Sequence, residues 1–547
     1  MHPCRHVVSL SLGFGFFSPL LHAQSGIVEL ARVGDSVSGG ASVTGFSNIR
    51  VNDRGEWAAI VGTDSAASPD RLFVNGNQIL REGETAPAAP GQTVLEIRDV
   101  DLADDGRLAV LTELDGGFAV YFDGELVLRQ DEPASAADFG PTAVYADVQK
   151  VNVNAANGLL IRAAVDLNPG LVSALVRLDV GAGGAILSET VLGQSGDSFP
   201  GSVGALSFFQ LDDNAVTVQD DGQGTWCGRM GSPGSIDWVA YKNGTIPIYR
   251  GGQPAFAGGP DFVNEPLRAT ASNASASWAI SARLDVANPD QDGVLLLDGA
   301  SYAREGANLT AFPGAPVVER IGYENLYLTD ANEPIFLVDV DIALPTDRAI
   351  IKGDEVFLRM GDPVVGGGSV TDLSDFPSAF HASENGEFLI AIAQVNGSTT
   401  SLLYVQDGLG EAYCAAENNS TGFPSVTTAE GVGLVSANSL RLVTTDAPAG
   451  SFGYYISSLT PGNTLGAGGS SGRICVSGSV GRHIDGVAQV EPDGTFRYSP
   501  DLTSMPTSPN VAVMVGDTWH FQFWHRDAGA MGTATSNFSL PVRVSFH

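Results

Sequence analysis

Acidic side chains are the residues of this sequence whose types and spacing could do chemistry. The run from Asn288 to Gly293 places the carboxylates of Asp290 and Asp292 in a tight loop that ends in glycine. Such spacing is typical of the first half of a calcium loop, whose ligands are oxygen atoms. The later bidentate acid of a complete calcium loop is missing at the required offset. Calcium held by Asp290 and Asp292 is therefore one interpretation, and a polar hairpin between two strands is the other.

Two further pairs of acids alternate along predicted strands. Asp99 and Asp101 form one pair, and Asp339 and Asp341 form the other. Residues two positions apart on a strand point to the same face of the sheet, so each pair would present two carboxylates together. If that face lined a central channel, the carboxylates could hold a cation. Exposed strand ends would explain the same pattern.

Histidine and cysteine give little support for catalysis. His381 is the only histidine between residues 24 and 410, so a Ser-His-Asp triad there would have to use it; an ordinary turn residue is the alternative. His520 and His525 are an odd number of positions apart on a predicted strand, which argues against a shared metal. Cys227 lies in a strand pattern and is interpreted as a buried apolar residue. We therefore assign no catalytic residue and, beyond calcium, no cofactor.

A repeated unit must position these side chains. Its copies begin with a turn glycine, or a substitute for it, followed by an apolar strand. The turn residues are Gly55, Gly106, Gly158, Gly222, Ser275, Glu333 and Gly386, at intervals of 51 to 64 residues. The strands that follow have little polar alternation, as expected of sheets that are buried on both faces. Seven such copies predict an all-β fold, a seven-bladed β-propeller whose blades are four-stranded sheets.

The last copy lacks the loop that closes the others, and the start of the chain supplies it. The closing loop has the form LRMGDPVVGGG at residues 358–368. The sequence IVELARVGDSVSGG at residues 27–40 matches this loop, although it precedes the first copy. We therefore expect the N-terminal strand to complete the last blade, with residues 27–37 lying beside residues 401–406.

The repeat stops near residue 410, and the sequence then changes character. Short strands separated by Gly, Pro, Asn and Asp indicate a C-terminal β-sandwich over residues 411–547, after a propeller over residues 24–410. Cys414 and Cys475 both lie in this region, and we predict a disulfide between them.

The first residues and the composition indicate export. Residues 1–23 have a basic start, an apolar run too short to span a bilayer and a small residue at Ala23, which predicts a signal peptide. The chain has 62 acidic residues against 28 Lys plus Arg and a net charge of -34, which argues against nucleic acid and anionic lipid as partners. We expect a secreted or cell-surface bacterial protein, monomeric and without a transmembrane segment.

Two segments resemble known families. The motif NDRGEWA at residues 52–58 resembles the NxxGxxAF tandem repeat of exported bacterial proteins, and the resemblance extends over residues 27–410. The tail, with CAAENNSTG at residues 414–422, ICVSGSVGR at residues 474–482 and FQFWHRD at residues 521–527, resembles a C-terminal domain of many secreted proteins of planctomycetes and other environmental bacteria. These resemblances imply export and a repeat architecture rather than a reaction.

The sequence therefore favours an exported, non-enzymatic propeller scaffold. Its faces would bind a protein or glycan partner, and its C-terminal domain would serve sorting, attachment or interaction. The alternative is a calcium-assisted, carbohydrate-active hydrolase or lyase with its site at the channel mouth. Two carboxylates about 5–10 Å apart over the channel, beside exposed aromatic residues, would favour the enzyme.

Overall fold

The computed structural model describes residues 26–67, 69–154, 158–196, 208–218, 224–230, 237–242, 246–250, 254–256, 258–260, 269–275, 277–312, 314–341, 347–365, 367–397, 399–529 and 533–547, with backbone alone for the strands between 208 and 250. The predicted signal peptide, Gly222 and the side chain of Cys227 lie outside this description. The described residues form an all-β chain. Its helical segments in these ranges are three-residue 3-10 turns at Ala182–Gly184, Pro289–Gln291, Val435–Ala437, Ala467–Gly469 and Ile484–Gly486. None of them has the length or apolar character needed to cross a membrane.

Most of the strands form antiparallel sheets of four strands in which neighbours in sequence pair. The N-terminal strand β1 (Gly26–Arg32) precedes six such sheets in the described residues. The sheets consist of β2 (Val43–Val51), β3 (Trp57–Thr63), β4 (Asp70–Val74) and β5 (Asn77–Arg81); β6 (Val94–Leu102), β7 (Leu108–Leu114), β8 (Gly117–Phe122) and β9 (Glu125–Arg129); β10 (Val144–Asn154), β11 (Gly158–Asp166), β12 (Leu171–Val180) and β13 (Ile186–Gln194); β14 (Phe208–Val218), β15 (Gly224–Met230), β16 (Asp237–Lys242) and β17 (Ile246–Arg250); β18 (Ala269–Ser272), β19 (Trp278–Arg283), β20 (Gly293–Leu297) and β21 (Ala300–Arg304); and β22 (Val318–Leu328), β23 (Pro334–Val340), β24 (Arg348–Lys352) and β25 (Glu355–Arg359).

A further sheet includes the N-terminal strand. It contains β26 (Val370–Leu373), β27 (Phe380–Ala382), β28 (Phe388–Val395) and β29 (Thr399–Gln406). Strand β1 pairs antiparallel with β29, with Gly26 opposite Gln406 and Arg32 opposite Ser401. The predicted pairing of the N-terminal strand with residues 401–406 is therefore present. On one face Ile27 packs with Leu403 and Val405, so β1 fills the outer edge of this sheet.

The first strand of each sheet packs against the neighbouring sheet. Contacts join β2 to β6, β6 to β10, β10 to β14, β14 to β18, β18 to β22, β22 to β27 and β27 to β2. Four-stranded sheets that pack side by side through their first strands are the arrangement of a β-propeller. Because the apolar strands are buried between neighbours, the core is a series of clusters that each lie between two sheets.

The turn between the first two strands needs a residue with positive φ. Gly55, Gly106 and Gly386 have φ values of +73°, +88° and +71°, a region that costs glycine little. In the sheet that starts with β22, Asn332 has φ +65° and takes this place. The turn residue predicted for this repeat, Glu333, is therefore wrong by one position. Asparagine tolerates this conformation better than glutamate does.

The C-terminal unit, residues 411–547, is built from shorter strands. They are β30 (Glu411–Ala412), β31 (Val426–Glu430), β32 (Arg441–Thr445), β33 (Phe452–Ser458), β34 (Thr460–Leu465), β35 (Arg473–Ser477), β36 (Gly481–Arg482), β37 (Ala488–Gln489), β38 (Phe496–Tyr498), β39 (Thr518–Ala528), β40 (Ala534–Phe538) and β41 (Val542–Ser545). One sheet has the order β30-β41-β39-β33-β36, a second has the order β31-β32-β38, and β34 pairs with β35. Tyr455, Trp519 and Phe523 of the larger sheet share a buried core with Leu442 and Phe496 of the smaller one.

The predicted disulfide joins the start of this unit to its middle. Cys414 and Cys475 are bonded, with their Cα atoms 6.3 Å apart. The bridge ties the segment that leaves the propeller to strand β35, so it anchors the beginning of the C-terminal unit.

Candidate functional site

A polar cavity of about 150 Å³ lies among the first strands of the propeller sheets. Its lining includes Arg50 of β2, Asp101 of β6, Lys150 and Asn152 of β10, Thr270 of β18, Tyr327 of β22 and His381 of β27. Charged and aromatic side chains from separate sheets therefore meet at the centre of the propeller. This central cluster is the candidate site.

Arg50 is held by two carboxylates. Its guanidinium is buried, with Nε 2.8 Å from Oδ1 of Asp101 and Nη2 3.7 Å from Oδ1 of Asp99. The Nη1 group donates to the carbonyl of Ile49 at 2.9 Å. Burial raises the pKa of Asp99, and the positive charges of Arg50 and Lys150 oppose this rise. The site thus balances two carboxylates against an arginine and a lysine.

The same two carboxylates connect neighbouring sheets. Asp99 accepts a hydrogen bond from the amide of Val151 at 3.1 Å, and Asp101 accepts one from the amide of Val153 at 2.8 Å. Both acceptors are on β6 and both donors are on β10. The sequence predicted that Asp99 and Asp101 would share a face, and the structure brings both to Arg50. The cation that they hold here is a guanidinium.

His381 and Tyr327 complete the cluster as uncharged groups. Nδ1 of His381 accepts from the amide of Val51 at 3.3 Å, and its ring centroid lies 4.9 Å from that of Tyr327. The Tyr327 hydroxyl donates to the carbonyl of Phe380 at 2.9 Å. Burial lowers the pKa of His381 well below its usual value and raises the pKa of Tyr327 to about 12. Because Nδ1 accepts from a main-chain amide, the neutral ring carries its proton on Nε2, and this is the opposite of the tautomer that a Ser-His-Asp triad uses.

Four side chains of the cluster occupy equivalent positions in their repeats. The turns that follow the first strands begin at Asn52, Ala103, Asn273, Thr329 and Ser383, as the main-chain bonds across each turn show. Counting back two residues gives Arg50, Asp101, Ala271, Tyr327 and His381. Arg50, Lys150 and Tyr327 were not predicted from the sequence. Comparing the repeats at this one position would have indicated Arg50 and Tyr327 together with Asp101 and His381, but not Lys150.

Acidic turn residues lie at one mouth of the channel. The amide of Asp53 donates to Oδ1 of Asp104 at 2.8 Å, and Oδ1 of Asp53 accepts from the amide of Asn385 at 2.8 Å. Burial raises the pKa of Asp53 to about 6, and the charges of Asp104 and Asp330 add to the rise. These carboxylates therefore bind main-chain amides of neighbouring turns and join one sheet to the next.

The predicted calcium residues lie away from this cluster. Asp292 is buried, and its carboxylate is paired with the guanidinium of Arg283, whose Nε is 3.0 Å from Oδ2. Asp290 is exposed on the 3-10 turn, and its amide donates to Oδ1 of Asn288 at 3.2 Å. Within the described ranges, no group of three or more His, Cys, Asp or Glu side chains is placed to hold a metal. Calcium at Asp290 and Asp292 stays a prediction.

The other predicted acid pair does not reach the channel. Asp339 is bound by two arginines, with Nε of Arg320 at 2.8 Å and Nε of Arg348 at 2.7 Å. Asp341 is exposed at the end of β23. Asp341 therefore fits the strand-end interpretation, whereas Asp339 lies within β23 and is half-buried between the two arginines.

Comparisons with known proteins give fold-level similarity alone. No family model matches the chain, and no curated protein matches it. Among solved structures, the β-propeller domain of the Trilobed protease from Pyrococcus furiosus has 9% identity and a TM-score of 0.36, over 67% of this chain and 96% of that one. Prolyl oligopeptidase B from Galerina marginata has 9% identity and a TM-score of 0.34, over 74% of this chain and 56% of that one. At TM-scores this low the matches support no argument about function.

Proposed function

We propose that this protein is an exported, non-enzymatic scaffold that binds a protein or glycan partner on a propeller face. The central cluster is the observation that carries the proposal. Arg50 is neutralised by Asp99 and Asp101, and both carboxylates also accept main-chain hydrogen bonds. A glycosidase needs one carboxylic acid and one carboxylate that face the substrate. Carboxylates already bound by an arginine and two amides suit the joining of sheets better than they suit catalysis.

We further propose that the propeller has seven blades and that β1 closes the ring. Six four-stranded sheets, the sheet completed by β1 and the contacts of β2 with β27 support this arrangement. The shared core of the two sheets in residues 411–547 supports a C-terminal β-sandwich. The disulfide between Cys414 and Cys475 supports export to an oxidising compartment, where such bonds persist.

Membership of the NxxGxxAF repeat proteins is also part of our proposal. The asparagine of the motif has a physical role in two sheets. Asn52 accepts from the amide of Glu56 and donates to the carbonyl of Ala103 at 2.9 Å, and Asn273 donates to the carbonyl of Thr329 at 2.9 Å. One side chain thus closes its own turn and holds the next sheet. A repeat that must stack beside copies of itself has reason to use asparagine there.

The proposal predicts that the protein binds a glycan without cleaving it, and the following experiment tests this. The purified mature protein would be applied to a glycan array with and without calcium, and each bound glycan would then be incubated with it and analysed by chromatography. We expect bound glycans to be recovered intact. Release of new reducing ends or unsaturated products by the wild type, and loss of that release in Asp101→Asn, would favour the hydrolase or lyase and overturn the scaffold.

A further inference from the structure

The C-terminal unit packs on the seam where the first sheet meets the sheet that contains β1. Val432 and Leu434 of the unit share a buried cluster with Val28, Ile49 and Tyr404 of the propeller. The cluster therefore draws on β1, β2, β29 and the C-terminal unit together. A separate module joined by a linker would not place its apolar residues in the core between two blades.

Polar contacts connect the same elements. The amide of Gly433 donates to Oε1 of Gln406 at 2.7 Å, and Gln406 is the residue of β29 that pairs with Gly26 of β1. The amide of His547 donates to the carbonyl of Gly433 at 3.0 Å, and the amide of Val435 donates to the carbonyl of His547 at 3.0 Å. The last two bonds join the main chain of His547 to residues 433–435, the part of the C-terminal unit that packs on the seam.

The side chain of His547 lies inside the seam. Its Nε2 is 2.8 Å from the hydroxyl of Tyr404, and its ring centroid is 5.0 Å from that of Phe388. The Tyr404 hydroxyl donates to the carbonyl of Gly55 at 3.1 Å, in the first turn of the propeller. Because the tyrosine proton goes to Gly55, the histidine must supply the proton of the other bond, which places its own proton on Nε2.

Gly55 shows how closely these groups fit. A Cβ atom at this position would lie 2.4 Å from the Tyr404 hydroxyl oxygen and 2.6 Å from Nε2 of His547. Glycine is therefore required here for space as well as for its φ of +73°. The turn of the first sheet, the last strand of the sheet that contains β1 and the C-terminal unit meet at this one point.

We propose that the C-terminal unit is a clamp that keeps the first and last sheets of the propeller together, and that protonation of the His547 side chain releases it. Nε2 already shares its proton with the Tyr404 hydroxyl, so a protonated ring would carry a second N–H on Nδ1, although the side chains in contact with the ring, Tyr404 and Phe388, carry no negative charge. A buried charge without a partner is costly. The clamp is thus closed when the imidazole is neutral. This inference concerns the integrity of the ring and goes beyond the binding function proposed above.

The side chains in contact with the His547 ring carry no negative charge. Tyr404 on β29 is the titratable side chain in contact with it, and burial raises the pKa of that tyrosine well above its usual value. Glu387 precedes β28, is hydrogen-bonded to Gln406 and lies near enough to Tyr404 for its charge to add to the rise in the pKa of that tyrosine. Phe388 on β28 and Gly55 in the first turn carry no charge. Burial lowers the pKa of His547 to about 4.

The direction of the pH effect follows from this pKa. In the open state the imidazole has its ordinary pKa of about 6.5, so the open state binds more protons than the clamp between pH 6.5 and 4. Acidification therefore favours opening. At pH 5 the ratio of open to closed clamp rises about 30-fold relative to pH 7.5, because the open histidine is then almost fully protonated.

Hydrogen exchange on the full chain, followed by mass spectrometry, tests the clamp. Peptides that cover residues 26–32 and 399–406 report on the seam, and a peptide that covers residues 108–122 reports on an inner sheet. After correction for intrinsic exchange, we expect the seam peptides of the wild type to exchange about 30-fold faster at pH 5 than at pH 7.5. The inner-sheet peptide should stay the slower to exchange at both pH values, because its amides are exposed by global unfolding alone.

Three variants separate the clamp from general destabilisation. His547→Gln keeps a donor but cannot titrate, so its seam peptides should lose the pH response. Tyr404→Phe removes the hydroxyl that joins His547 to Gly55 and should speed seam exchange at pH 7.5. His483→Gln is the control, because His483 is buried in the C-terminal unit against Ser457 and Tyr498; it should keep the wild-type response of the seam.

Two results would overturn the proposal. In the first, the wild-type seam peptides would exchange at the same corrected rate at pH 7.5 and pH 5. In the second, the seam and inner-sheet peptides would exchange at the same corrected rate at pH 5, as expected when global unfolding alone exposes both. The wild-type pH series decides the matter even if a variant fails to fold.

Discussion

Asn52 illustrates what a single repeat residue contributes. Its Oδ1 accepts from the amides of Arg54 and Glu56, and its Nδ2 donates to the carbonyl of Ala103. The residue is buried, so water cannot replace these bonds. The next repeat has alanine at this position and still forms the main-chain turn. The main contribution of the asparagine is therefore its hydrogen bond to the next sheet, since the turn forms without it.

Replacing Asn52 by alanine should lower the free energy of unfolding by about 1–3 kcal/mol, because buried partners lose their hydrogen bonds. Asn77→Ala is the matched control. Asn77 is exposed, and its bond to the carbonyl of Asn75 is 3.4 Å long, so we expect a loss below about 0.5 kcal/mol. Urea unfolding measures both variants. Equal losses in the two would contradict the role given to Asn52.

Arg50 provides a second prediction at this scale. Arg50→Met would leave Asp99 and Asp101 buried without their arginine, and removal of one partner from a buried ion pair costs about 3–5 kcal/mol. Arg54→Met is the control, because Arg54 is exposed and donates to the carbonyl of Asp105 at 2.8 Å. We expect the control to lose less than about 1 kcal/mol in the same unfolding experiment. Adding Asp99→Asn to Arg50→Met should recover part of the loss; a further loss would argue against charge compensation.

At the scale of elements, local sequence patterns predicted strands, turns and the pairing of β1. They did not predict the hydrogen bonds that join one sheet to the next. The pairing of β1 with β29 was predictable because the first and last repeats are complementary in sequence. The turn at Asn332 was misplaced by one residue, since propensity alone does not distinguish adjacent candidates. The bonds from Asp99 and Asp101 to β10 join residues 52 positions apart, and no local pattern reveals them.

The disulfide allows an element-scale prediction. Cys414 and Cys475 are 61 residues apart, and closing a loop of this length removes chain entropy worth about 4 kcal/mol from the unfolded state. The double variant Cys414→Ser and Cys475→Ser should therefore unfold at a lower urea concentration in the C-terminal unit, as followed by tryptophan fluorescence. Reduced wild type should behave like the variant, and reductant should not change the variant. An unchanged midpoint in both would contradict the prediction.

At the scale of the whole molecule, the composition indicated an acidic protein. The structure adds where basic side chains neutralise part of this negative charge. Arg50 and Lys150 stand among carboxylates in the centre of the propeller. The histidines likewise occupy protected positions: His381, His483, His525 and His547 are surrounded by protein, and burial lowers the pKa of each. Burial of this kind depends on tertiary packing, which is why histidine spacing alone did not indicate it.

These buried histidines make the whole protein sensitive to acid. Burial lowers the pKa of His483 to about 4 and that of His547 to about 4. The unfolded chain binds these protons near pH 6.5, so stability falls as the pH falls from 6.5 to 4. Each of the two histidines removes about 2 kcal/mol at pH 5. Asp53 acts in the opposite direction, because its pKa is raised to about 6 and the folded state therefore binds its proton at a higher pH than the unfolded state. At pH 5 this adds about 1 kcal/mol to the free energy of unfolding.

We therefore expect the free energy of unfolding to decrease by about 3 kcal/mol between pH 7.5 and pH 5, as measured by urea unfolding at each pH. His381 and His525 shift the balance in the same direction, and Asp99, whose pKa burial raises, shifts it in the opposite direction. His483→Gln should make the profile shallower by about 2 kcal/mol over this range, since glutamine does not titrate. Asn77→Ala is the control: Asn77 is exposed and does not titrate, so its replacement should leave the slope as it is. A stability that is constant or rises toward pH 5 would show that the neutral histidines are not held by the fold.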